Sequence, residues 1–149
     1  MSIGEFCNRE VIIARRDESV LEAAQLMRRY HVGAVVIVDE IKDKRYPVGV
    51  VTDRDLVMEV LVNKLDPETV LIGEILAESV VTVRASDGVF DTVQHMRSRG
   101  VRRAPVVDDN RELIGIIAVD DLIALLAEEM TELYKLIRHE QEREIKLRS

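Results

Sequence analysis

The chain has 149 residues, 47% hydrophobic and 33% charged, which suits one globular domain and excludes a disordered polymer. Its 28 acidic against 21 basic residues leave a net charge of −7, which argues against nucleic acid or an anionic membrane as a general partner. Cys7 stands alone and forms no internal disulfide, no run reaches the ~18 apolar residues of a membrane span, and the N-terminus shows no apolar leader, so a cytoplasmic protein is expected.

In chain order, the first element is a β-branched run at Val11–Ala14, which predicts a strand. Ser19 then stands where a helix starts, and Val20, Ala23, Ala24 and Met27 keep helical spacing after it. Two buried-looking strands follow, Ala34–Val38 and Val48–Val51, joined by a charged turn, and a second helix begins near Asp53. Asn63–Ser79, with Pro67 and an apolar patch of Val70, Ile72, Ile75 and Leu76, reads as a linker whose short helix covers a sheet edge. The same order then returns. A strand at Val80–Val83 precedes a helix starting near Asp87, with Val89, Val93 and Met96 on one face. Strands at Ala104–Val107 and Leu113–Ile117 and a helix from about Asp120 complete it.

This return is a duplication. Val20–Asp39 aligns without gaps on Val89–Asp108, 69 positions on, with 7 of 20 residues identical, among them Gln25/Gln94, Met27/Met96 and Asp39/Asp108. Pro47–Val57 resumes the match on Leu113–Ile123, three residues shorter across a charged turn where length changes are cheap. Each copy is β-α-β-β-α, with the strand after the first helix parallel to the opening strand through a right-handed crossover. Neither copy covers both faces of its own sheet. An α+β fold is therefore expected in which the two copies pack about a pseudo-two-fold axis. The last helix runs on past its counterpart, and Leu126, Met130, Leu133 and Ile137 keep a 4-3-4 seam before Glu140 and Glu144 take the seam positions ahead of Leu147. That extension packs either on its own domain or on a second subunit.

The duplicated unit, the phrases HVGAVVIVD and VRRAPVVD, and the run Gly49-Val-Val-Thr-Asp-Arg-Asp55 resemble a tandem pair of CBS (cystathionine β-synthase) domains over about residues 8–128. The expected division is a first repeat at 8–63, a linker at 64–79, a second repeat at 80–128 and a helical extension at 129–149. The resemblance implies a stand-alone, non-catalytic regulatory module. Its cleft would bind AMP, ADP, ATP, S-adenosylmethionine or an NAD-type dinucleotide, and it would signal to an unidentified client protein. Modules of this kind commonly stack in pairs, so a homodimer is expected.

Thr52-x-x-Asp55 opens a helix directly after a strand, and two readings share that geometry. In one, Thr52 is the N-cap and Asp55 reaches back to its amide. In the other, the helix start receives a phosphate and a short carboxylate takes both hydroxyls of a ribose. The resemblance carries the second role onto Thr52 and Asp55, and Arg54 adds a forked cation by position and charge. Adenine would lie against Val101-Arg102-Arg103-Ala104 of the other repeat, where the two arginines suit an anion. A second cleft would combine Asp121 with Val32-Gly33-Ala34. There Ala118 replaces the threonine and Asp120 replaces Arg54, so two adjacent carboxylates would repel a phosphate and weaker binding is expected.

No catalytic constellation stands beside this. His31, His95 and His139 are scattered, no HExxH, Walker loop or GxGxxG occurs, and no metal site is expected. Cys7 has no activating base nearby in the sequence. The competing reading is a dimeric protein-interaction module whose clefts bind nothing.

Overall fold

Each copy of the duplicated sequence folds into its own three-stranded sheet in the computed structural model, which describes residues 1–148. One unit, Met1–Ile117, holds nearly all of both sheets, and a second begins at Ala118. The fold is α+β, two β-α-β-β-α repeats of which the second closes on a long helix. In the first copy β1 (Ile13–Ala14) leads through α1 (Val20–Tyr30) to β2 (Ala34–Ile41) and β3 (Lys44–Thr52). β1 lies parallel to β2, and β2 runs antiparallel to β3 from Ala34↔Thr52 to Ile41↔Lys44, with an irregularity at Ile37/Val38. A three-residue helix, α2 (Asp53–Asp55), follows, then a π-helical stretch Leu56–Leu61 and a short α3 (Ile72–Ile75). The second copy repeats the plan as β4 (Val83–Arg84), α4 (Val89–Arg99), β5 (Arg103–Val107) and β6 (Leu113–Ala118), with β4 parallel to β5. The last helix, α5, spans Val119–Arg148.

Local chemistry accounts for these boundaries. Ser19 Oγ accepts the Glu22 N–H at 3.2 Å while the Glu22 carboxylate accepts the Ser19 N–H at 3.0 Å, a complete capping box that sets where α1 begins. In the second copy the residue before the helix is Gly88, not Asp87. The Asp87 carboxylate instead accepts the Arg84 N–H at 3.0 Å and braces the turn after β4. The opening strands are also shorter than their β-branched runs. Val11 and Ile12 precede β1, yet the Ile12 carbonyl still accepts the Val36 N–H at 2.9 Å, so the run outlasts the regular ladder. The aliphatic core of the first copy gathers Ala14, Val20, Ala23, Met27, Val35, Ile37 and Val51 with Val60 and Ile72.

Ile72 belongs to that core although it lies beyond α2, and this reflects an exchange between the copies. Ile3 and Gly4 donate their N–H groups to the carbonyls of Asp87 and Ala85, each at 2.9 Å. Ile72 and Gly73 donate to Glu18 and Arg16 at 2.8 and 2.9 Å. Donors and acceptors correspond residue for residue, 69 positions apart, and Ile-Gly-Glu occurs at both 3–5 and 72–74. The stretch that precedes each copy thus braces the other one. Cys7 and Leu76 continue the correspondence. A Cβ on Gly115 would come within 2.6 Å of Cys7 Sγ, and a Cβ on Gly49 within 2.6 Å of Leu76 Cδ2, so each glycine leaves the room its partner side chain fills. Asn8 and Ile116 close the contact by exchanging two backbone hydrogen bonds at 2.9 Å.

Candidate functional site

β3 delivers Thr52 to the start of α2, and both halves of a capping box form there. Thr52 Oγ1 accepts the Asp55 N–H at 3.1 Å, and Asp55 Oδ2 accepts the Thr52 N–H at 2.8 Å. The intervening amides are engaged as well. Asp53 donates its N–H to the Gly33 carbonyl at 2.9 Å, and Arg54 donates its N–H to the Asp53 carboxylate at 2.9 Å. The amides of the first turn are therefore all engaged, which leaves only side chains to meet an anion at this end. Beyond it the Val62 N–H reaches the Val57 carbonyl at 3.0 Å, the i→i+5 spacing of the π-helical turn.

The second copy supplies the opposite wall. α4 ends at Arg99, Gly100 turns the chain with φ 67°, and Val101, Arg102 and Arg103 lead into β5. Together the two segments line a cleft of about 580 Å³ formed by Val50, Thr52, Asp53, Arg54, Asp55, Gly100, Val101, Arg102 and Arg103. Thr52, Arg54 and Asp55 thus meet Val101, Arg102 and Arg103 in one cleft. Ala104 lies outside its lining, fully buried within β5. Val50, Asp53 and Gly100 line it without having been singled out from the sequence. Strand alternation was the available signal for Val50, which shares a face with Thr52 while Val51 between them is buried.

Three arginines and two aspartates line this cleft in a chain of net charge −7. Gly33 lies beside the same cluster. A methyl added to it would stand 3.1 Å from Asp53 Oδ2 and 3.4 Å from Arg103 Nη2. Val32, Gly33 and Ala34 are half-buried where β2 begins. Asp121, which the sequence groups with them, sits in the first turn of α5, and its Oδ2 accepts the Ala118 N–H at 3.0 Å. Ala118 has no hydroxyl to return that bond, so only half of the Thr52–Asp55 arrangement exists there.

The remaining reactive side chains have structural places. His31 ends α1 in the left-handed region with φ 54°, and His95 Nε2 lies 3.1 Å from the Thr82 carbonyl. Cys7 is buried, and burial pushes its thiol pKa up against a smaller opposing pull from Arg9. Such a thiol stays protonated and behaves as a small hydrophobe. Among the described residues no group of three or more His, Cys, Asp or Glu could hold a metal ion, and no helix is long and apolar enough to cross a membrane.

Comparison with known proteins adds to this geometry. The profile of the CBS domain family matches residues 3–62 and 72–128, each stretch starting on the isoleucine of an Ile-Gly-Glu turn. An uncharacterized protein of Methanopyrus kandleri is 39% identical over 137 residues, 87% of this chain and 68% of that protein. Hypoxic response protein 1 of Mycobacterium tuberculosis is 34% identical over 124 residues, 83% of this chain and 84% of its own. Among solved structures, a CBS domain protein of Pyrobaculum aerophilum complexed with AMP superposes with a TM-score of 0.75 at 28% identity, covering 88% of this chain and 99% of that one. Two sheets of one topology, braced by exchanged Ile-Gly-Glu turns and matched twice by one profile, place this chain in the CBS domain family as a tandem pair, a generally regulatory module.

Proposed function

We propose that this chain is a non-catalytic cytoplasmic sensor that binds a phosphorylated adenosine in the cleft between Thr52–Asp55 and Val101–Arg103 and signals to a partner protein. The observation that carries this reading is the cleft's chemistry. Asp55 is held in place through Oδ2 by the Thr52 N–H, which leaves its second oxygen to accept ribose hydroxyls. Val50 and Val101 supply an aliphatic surface for the base, and Arg54, Arg102 and Arg103 supply forked cations for phosphate. This charge favours AMP, ADP, ATP or an NAD-type dinucleotide over S-adenosylmethionine, whose sulfonium is itself positive. The similar P. aerophilum protein complexed with AMP supports the same ligand class. Because the two walls come from different copies, a ligand that binds one arrangement of the copies better than another shifts the population toward it. A client protein, or the second copy in a homodimer, reads that shift.

One observation favours a different reading. Thr52 and Asp55 already satisfy each other, so they are explained as a cap without any ligand, and the chain would then be an interaction module with non-binding clefts. Calorimetric titration of nucleotide-stripped protein with AMP, ATP, S-adenosylmethionine and NAD separates the two. The sensor gives saturable binding of a phosphorylated adenosine near one site per chain. Asp55→Ala abolishes it, and Arg103→Ala weakens it roughly tenfold or more, the worth of one charge-assisted hydrogen bond. Silence across the panel leaves the interaction module, with Asp55→Ala then costing only ~0.5–2 kcal/mol of stability for the lost cap.

A further inference from the structure

We infer that the exposed seam of α5 pairs antiparallel with the α5 of a second copy of this chain. Ile123, Leu126, Met130, Leu133 and Ile137 are each at least half exposed, and they repeat at intervals of 3, 4, 3 and 4 residues. An apolar stripe on a 3.5-residue period is a narrow seam that only another helix fits along its length. Tyr134 and Leu136, 60% and 63% exposed, widen it at its middle.

Charge sets the direction. Between Ala124 and Leu133 the helix carries Glu128, Glu129 and Glu132 and no base. From Tyr134 to Arg148 five bases, Lys135 to Arg148, outnumber three carboxylates. A parallel, in-register pair would set the acidic turns side by side and would stack Glu140 and Glu144, which hold seam positions, against their own copies. Like charges at such positions oppose pairing. An antiparallel pair runs the acidic turns of one chain along the basic turns of the other and separates each seam glutamate from its twin. The register that faces Leu126 with Ile137 and Met130 with Leu133 meshes these four apolar residues, brings Glu128 opposite Lys135, and leaves Ile123 opposite Glu140 at either end of the paired stretch. The occupant is therefore a second α5 in the reverse direction. This pairing does not depend on the nucleotide cleft.

Sedimentation of the full chain, with and without Leu133→Asp/Ile137→Asp, tests the pairing. The wild type should run at a multiple of the 17.0 kDa chain mass, and the double variant, whose changed residues are exposed and leave the fold intact, at half the wild-type mass. A monomeric wild type, or a variant of unchanged mass, overturns the proposal. Direction is read by dipolar spectroscopy on a spin label at Gln141→Cys in a Cys7→Ser background. The antiparallel register places the labels about 30 Å apart, from the 1.5 Å rise per residue. A parallel pair places them under about 20 Å apart, from the helix spacing of about 8–10 Å, and that result overturns the antiparallel arrangement.

Discussion

His31 and Gly100 occupy the same place 69 residues apart, each ending the first helix of its copy with a left-handed backbone at φ 54° and 67°. The conformation serves one purpose in both, because the chain must reverse to start the next strand, and Val32 and Val101 donate back to the carbonyls of Met27 and Met96, each at 3.1 Å. Glycine takes this conformation without strain, whereas a side chain costs ~1–2 kcal/mol there. Glycine returns part of that gain as unfolded-state entropy. His31→Gly is accordingly expected to raise stability by about 0.5–1 kcal/mol. An upward shift of the urea midpoint at constant slope is the expected reading, and an unchanged or lower midpoint would show that His31 makes a compensating contact. Thr52 and Asp55 illustrate the other side of residue-scale reasoning. Their spacing announced a cap, and the cap is there, but the same spacing in a ligand site would look identical in the sequence. Spacing alone does not separate the two roles. The arginines on the opposite wall support the proposed ligand role, and their proximity is a property of the fold that the sequence does not display.

At the scale of elements, the duplication was legible because helix and strand periods recur in register over Val20–Asp39 and Val89–Asp108. Strand ends were less so. Val11 and Val80 have β propensity, yet regular pairing covers only Ile13–Ala14 and Val83–Arg84, since a ladder ends where its partner does and not where branched residues end. The Ile-Gly-Glu turns show a different limit. Three identical residues are too few to stand out in 149, and their meaning lies in hydrogen bonds to the other copy. Cys7 belongs to this element, in the place Leu76 holds in the other copy. Its thiol pKa is raised by burial, so the folded state favours the protonated form. The sign follows directly: the stability this contributes is full below the ordinary thiol pKa and is lost as pH rises through the raised folded value. Wild-type protein should therefore lose urea resistance faster than Cys7→Ser as pH rises above the ordinary thiol pKa of about 8.5. Equal slopes for the two proteins would show that the thiol titrates freely in the folded state.

For the whole molecule, the exchange of bracing turns makes each copy's sheet depend on residues that precede the other copy. Ile3 is fully buried, and its backbone is bonded to Asp87 on the second copy, while Ile72 is fully buried in the core of the first. Two sheets merely placed side by side could open one at a time, as separate cooperative units. Two sheets that each hold the other's turn share the cost of opening. Truncation of a buried isoleucine costs ~2–5 kcal/mol from lost burial and the cavity left behind. Ile3→Ala should spread that loss over both sheets, although the side chain braces only one. Amide exchange measured strand by strand makes the distinction. Faster exchange of β2 and β5 by the same factor is the expected result. Acceleration confined to β5, with β2 unchanged, would mean that the copies open independently.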